Sequence, residues 1–152
     1  MCSFGSDLGQ GPCNDVKCAV CNICRESFDI SRARTVESGG TPAMHLRFGN
    51  GTYFAPDSSK SHSYNQDSHR DLAHGQYRVM FLCKVAIGHA PYQTEEGGIP
   101  IVECEALIQR GHTSIIGRVG PHLNYEEVVV YNSAAAIPSY LAILSYLIVY
   151  KM

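Results

Sequence analysis

At 152 residues the chain is long enough for one compact domain that buries a core without disulfide staples. A formal charge of -2, with Lys and Arg scattered along the chain, provides no basic field for gripping a phosphate backbone, so nucleic acid is not expected as a direct ligand. Charged residues are only 17%, and 14 glycines, 7 prolines and 9 tyrosines without a tryptophan favour short strands and turns over a helical bundle.

The chain opens on cysteines. Of seven, Cys2, Cys13, Cys18, Cys21 and Cys24 crowd the start, while Cys83 and Cys104 stand apart. An odd, clustered set points to metal more than to disulfides. Met1 to Gly11 has no basic region followed by an apolar run, so no secretory signal is read there, and a reducing setting, nuclear or cytoplasmic, is expected. Between the cysteines lie Gly5, Gly9, Gly11 and Pro12 with no hydrophobic period, which reads as a loop that a metal would organise. Cys13, Cys18 and Cys21 are candidate zinc ligands, and a tetrahedral site needs a fourth.

Ser27 to Val36 reads as a short element, and Glu37 to Pro42 as a glycine-containing connection. Phe48 to Tyr64, FGNGTYFAPDSSKSHSY, reads as strand, turn and short helix: the aromatic run Thr52-Tyr53-Phe54 follows two glycines, and Pro56-Asp57 opens a Ser-rich helix start. Asn65 to Gly75 is polar loop. Val79 to Ile87 is the best buried strand, an apolar run broken only by Lys84. Pro91 to Pro100 is read as loop, and Ile101 to Ile108 fits either a strand or a short helix. Thr113 to Ile116 and the β-branched run Glu127 to Tyr131 are strands. Ala134 to Tyr150 is largely apolar, but it is interrupted by Pro138, Ser139, Ser145 and Tyr146 and falls short of the about 20 apolar residues of a spanning helix. One or two buried strands are expected there, one of them Tyr146 to Tyr150, and no membrane anchor. The expected fold class is α+β: a small antiparallel or mixed sheet with short helices and long loops.

GNGTYFAPDSSKSHSY, MFLCKVAIG and LNYEEVVVY, followed by Pro-Ser-Tyr-Leu and Tyr-Leu-Ile-Val-Tyr, occur in the order and spacing of the catalytic domain of poly(ADP-ribose) polymerases. The chain resembles that family from about Phe48 to its end. Its cysteine-rich start resembles a subgroup with a zinc loop before the core, which implies a division into a loop over 1–26 and an ADP-ribosyltransferase-type core over 27–152. The resemblance implies transfer of ADP-ribose from NAD to a protein acceptor with release of nicotinamide, and a structural zinc ion.

Residue by residue, Gly-x-Gly-x-Tyr-Phe matches Gly49 to Phe54, so Tyr53 takes the place of the tyrosine that lines the nicotinamide ribose and ring. Ser-Lys-Ser-x-x-Tyr matches Ser59 to Tyr64, so Ser61 would bond the carboxamide and Tyr64 would stack on the ring. Gly51, Tyr53, Phe54, Ala55, Lys60, Ser61 and Tyr64 together make the implied NAD-binding set. Tyr-x-Glu-x-x-Val-Tyr matches Tyr125 to Tyr131 and selects Glu127, not Glu126, as the catalytic carboxylate, with Tyr53 beside it. Departure of nicotinamide builds positive charge on the ribose anomeric carbon, and a carboxylate at the 2'-hydroxyl stabilises it. For the fourth zinc ligand the resemblance favours Cys2, with Cys24 as the alternate.

Two departures accompany the resemblance. The family's upstream His-Gly pair has no counterpart, which implies an N-terminally truncated core lacking its first strand, or a zinc-stapled module that binds NAD or a partner without catalysis. Ser-Tyr-Leu occurs at Ser139 to Leu141 and again at Ser145 to Leu147, as though residues were inserted before the last strand.

Overall fold

The computed structural model describes residues 11–32, 47–63, 78–93, 101–121 and 123–144. They form an α+β fold with two sheets. The helices are α1 (Ala19–Glu26), α2 (Ser58–Ser63) and α3 (Ile101–Gln109), and the strands are β1 (Thr52–Phe54), β2 (Arg78–Val85), β3 (Tyr92–Gln93), β4 (Ser114–Gly117), β5 (Glu127–Val130) and β6 (Ala136–Leu144). Single 3-10 turns lie at Ile30–Arg32 and Ser133–Ala135.

The larger sheet runs β1-β5-β4-β3, antiparallel except for the β3-β4 pair, and the smaller is the antiparallel pair β2-β6. β5 lies inside the larger sheet and every one of its residues is buried, as its β-branched run predicts. Alternation divides its side chains between two cores. Val129 packs with Phe48, Ile115 and Leu123, while Val128 and Val130 pack with Ile116 and Ala136 on the other face.

Three elements differ from the expectations or resolve them. The cysteine-rich stretch is not loop throughout, because α1 starts directly after Cys18. Its apolar positions Val20, Cys21, Ile23 and Cys24 share one face, so a short helical period is present among the cysteines, and only Cys21 of that face is fully buried. Ile101 to Ile108, open between strand and helix, is helical. Gly111, at φ 86, ends the helix: its N–H donates to Ile108 O at 3.0 Å and that of His112 to Leu107 O at 3.1 Å, the paired bonds of a Schellman cap. The segment read as Pro91 to Pro100 loop contributes the two-residue strand β3, a short parallel addition to the sheet edge.

The expectation of strand in the apolar C-terminal stretch holds over β6, and that of a strand at Val79 to Ile87 holds over β2, but the expected burial does not. Leu82, Ile137 and Tyr140 are exposed, because the two strands pair with each other as a two-stranded sheet and one face of the pair stays open to solvent. Tyr146 to Tyr150 lies outside the described residues. Pro138 is accommodated at an irregularity, since Leu82 faces Tyr140 and Cys83 faces Pro138, leaving Ser139 as the extra residue of a bulge. Among the described residues no helix is long and apolar enough to cross a membrane.

Candidate NAD and metal sites

Glu127 opens β5 opposite Gly117 of β4, and its carboxylate is 8% exposed. A buried carboxylate is costly unless paired. Lys60 supplies the partner: from α2 its Nζ reaches Glu127 Oε1 at 2.9 Å, with the lysine side chain 19% exposed. Two residues far apart in the chain meet because β1 pairs directly with β5, with Phe54 facing Val128, and α2 follows β1 after a short turn. Asp57 caps that turn. Its Oδ1 accepts from the Ser59 N–H at 2.8 Å and from the Ser59 hydroxyl, and these bonds hold its pKa below the ordinary 3.8.

Tyr53, Phe54, Ala55 and Ser61 line a cleft of about 410 Å³ whose far wall is apolar β2, including Phe81 and Cys83. Burial pushes the Cys83 thiol pKa up, which keeps it protonated and unreactive. Tyr53 is held at both ends of its hydroxyl: it donates to Gly49 O at 2.9 Å and accepts from the Phe48 N–H at 3.0 Å. The hydroxyl is thus committed to the turn before β1, leaving the ring face as what the residue offers a ligand. Tyr131 braces the same turn by donating to Phe48 O at 2.6 Å.

Gly51 has a role the motif alone did not reveal. A Cβ there would lie 2.7 Å from Val129 Cγ1 and 2.8 Å from Val130 O, so only glycine lets the chain enter β1 against β5. The structure therefore brings Gly51, Tyr53, Phe54, Ala55, Lys60, Ser61 and Glu127 into one region. Tyr64 lies outside the described residues. Phe28, which sequence reasoning left in an unassigned short element, lines the same cleft and also a second one, between α1 and β1, that includes Ile23 and Arg32. Nothing in its spacing marks it; it reaches the cleft because the chain doubles back after α1.

At the other end of α1, Cys13, Cys18 and Cys21 bring their sulfurs within 4.8 Å of one another. Sulfurs on one tetrahedral zinc ion lie about 3.8 Å apart at Zn–S bonds of about 2.3 Å, so the donor set and its spacing fit such an ion after a small contraction. Cys21 is fully buried and its sulfur accepts the Cys13 N–H at 3.2 Å. The Arg25 guanidinium clamps the loop by donating to Cys13 O and Asn22 Oδ1. Cys24 is exposed and stands outside the group, and Cys2 lies outside the described residues.

A family model for the poly(ADP-ribose) polymerase catalytic domain matches residues 18–146, a span that takes in α1, both sheets and the residues that line the cleft. This family acts through NAD as co-substrate. The chain belongs to the poly(ADP-ribose) polymerase catalytic-domain family.

Proposed function

We propose that this chain is an NAD-dependent ADP-ribosyltransferase that moves ADP-ribose to a protein acceptor, with Glu127 as the catalytic carboxylate. The observation that carries the reading is the buried Glu127–Lys60 pair beside the cleft of Tyr53 and Ser61. In this reading the Tyr53 ring flanks the nicotinamide, the Ser61 hydroxyl bonds its carboxamide, and Tyr64 stacks on the opposite face. Aromatic contact with a cationic ring contributes about 0.5–2 kcal/mol, so its value lies in position more than in affinity.

The Lys60 ammonium orients the carboxylate through Oε1, and the second oxygen accepts a hydrogen bond from the ribose 2'-hydroxyl. As the glycosidic C–N bond breaks, its electron pair leaves with nicotinamide and positive charge grows on the ribose, where a fixed carboxylate lowers the barrier. The acceptor oxygen then forms the new bond to the anomeric carbon and loses its proton, a step that the same carboxylate assists by polarising an acceptor hydroxyl.

Cys13, Cys18 and Cys21 would hold a structural zinc ion, with Cys2 as fourth ligand and Cys24 as its alternate; the ion supplies a cross-link and no step of transfer. The cysteine-rich start over 1–26, which ends in α1, then leads into the transferase core over 27–152. A reducing compartment, nuclear or cytoplasmic, suits such thiols.

The test is nicotinamide release from NAD by the purified chain and by Glu127→Gln, with NAD affinity measured in parallel. Release that Glu127→Gln abolishes while NAD affinity survives supports transfer. NAD binding without release in either protein would replace it with the reading of a non-catalytic NAD-binding module.

A further inference from the structure

Phe28 stands where three parts of the fold meet. Its ring is edge-on to Phe54 of β1 with centroids 5.2 Å apart, and edge-on to Phe81 of β2 at 6.2 Å. It also packs against the core of Ile116, Val128, Val130 and Ala136, so it bridges the two sheets directly behind the strand that carries Tyr53.

What aims that ring is Ser27. Its φ of 66 and ψ of -165 lie in a region almost reserved for glycine, which a serine keeps only while its surroundings hold it. Three bonds do so. The Ser27 N–H caps α1 by donating to Ile23 O at 2.9 Å, the Ser27 hydroxyl donates to Ala136 O at 3.1 Å, and two residues past Phe28 the Ile30 N–H donates to Ser133 Oγ at 3.0 Å. The first of these exists only while α1 is helical.

α1 cannot supply that by itself. It has 8 residues, below the about 12–15 that an isolated helix needs in water. Its N-cap, Cys18, makes no side-chain capping bond, and Cys21, the one fully buried residue of its short apolar face, belongs to the sulfur cluster together with Cys18, so the cluster anchors both the start of the helix and its buried side.

We propose that Phe28 is a positioning residue that passes the metal-held placement of α1 to β1, so that occupancy of the Cys13-Cys18-Cys21 site sets the order of the strand carrying Tyr53 and hence NAD affinity. The proposal rests on the zinc and NAD readings above. Loss of the ion frees α1 to unwind, the Ser27 cap bond is lost, Ser27 relaxes to an ordinary φ, and the Phe28 ring swings off Phe54 and Phe81. β1 then keeps its ladder to β5 and loses its backing.

The test uses the full chain, zinc-loaded or treated with a chelator, as wild type, Phe28→Ala and Phe28→Leu. Amide exchange at Thr52–Phe54 is followed by mass spectrometry and NAD affinity by titration. In the wild type, metal removal is expected to speed β1 exchange about tenfold, whereas Phe28→Ala exchanges fast with zinc bound and gains little on its removal. Zinc content stays unchanged in both variants, and Phe28→Leu restores most of the coupling; it also answers the same question should the alanine variant not fold.

If the zinc-loaded chain turns nicotinamide over, Phe28→Ala should raise KM for NAD about tenfold with little change in kcat. β1 exchange indifferent to zinc in the wild type, an equal zinc response in Phe28→Ala, or a chain that holds no zinc on its cysteines would overturn the proposal. The exchange arm reads β1 without NAD, so coupling in a chain that binds no NAD supports the positioning role while refuting the transferase reading.

Discussion

Lys60 and Glu127 form a pair whose two members have unequal uses, and substitutions separate them. Glu127→Gln keeps the shape of the side chain and removes the charge, so nicotinamide release should fall about 10²–10³-fold with NAD affinity little changed. Lys60→Met leaves the carboxylate, 8% exposed, without its ammonium. Stability in urea should drop by about 1–3 kcal/mol, less than for a fully sequestered pair because Lys60 keeps some contact with water. Combining the two substitutions should recover most of that loss; a simple sum of the two single effects would show that the pair does not couple. Ser27 makes a second contrast at the same scale. Ser27→Gly relieves a backbone conformation costing about 1–3 kcal/mol and gives up one hydrogen bond worth about 1 kcal/mol, whereas Ser27→Ala keeps the strain and loses the bond. Both variants lack the hydroxyl, so thermal melts should rank glycine above alanine, and the reverse order would mean that the backbone at this position is not strained.

β1 and β5 are the elements on which the site stands, and Gly51 is their point of closest approach. Gly51→Ala forces a Cβ to within 3 Å of both Val129 Cγ1 and Val130 O. The backbone oxygen cannot rotate away, so the strand pair must separate, with an expected loss of about 1–3 kcal/mol and weaker NAD binding, because Tyr53 moves with β1. α2 presents a pH signature. The folded-state pKa of Asp57 is depressed by its bonds to Ser59, so its contribution to the helix start is complete above the ordinary 3.8 and is lost as pH falls through the lower folded value. Protection factors at the start of α2, with the intrinsic pH dependence of amide exchange divided out, should be flat near neutrality and fall only below about pH 4, a window set by the ordinary carboxylate value. These elements were unequally legible. β5 announced itself through EEVVVY, whereas Ile101 to Ile108 is open between strand and helix in the sequence, and only the cap at Gly111 in the structure decides it. α1 was missed because its apolar face, Val20, Cys21, Ile23 and Cys24, spans barely two turns and reads as spaced cysteines in a loop.

At the scale of the whole molecule, the segment Ser27 to Ile30, bonded to Ala136 and Ser133, joins the cysteine cluster to the sheets among the described residues. Removing zinc with a chelator, or replacing Cys21 by serine, should lower the melting temperature and abolish the thiolate absorption of a cobalt-substituted sample. An unchanged melt would mean that the loop folds without metal.

The sequence by itself determined the α+β class, the strands β2, β4 and β5, the turn and helix around Asp57, the cysteines that cluster, and the family to which these motifs belong. Those features are local: propensity, turn chemistry and spacing act over a few residues and are written in the order of the chain. Only the tertiary structure decided that Lys60 meets Glu127, that the Tyr53 hydroxyl is spent on the preceding turn, that Gly51 serves a strand contact, and that Phe28 stands between the sheets. Each of these depends on which distant segments pack together. That is set by the burial of β5 between two cores and by the doubling back of the chain after α1, and no pattern within a single segment encodes it.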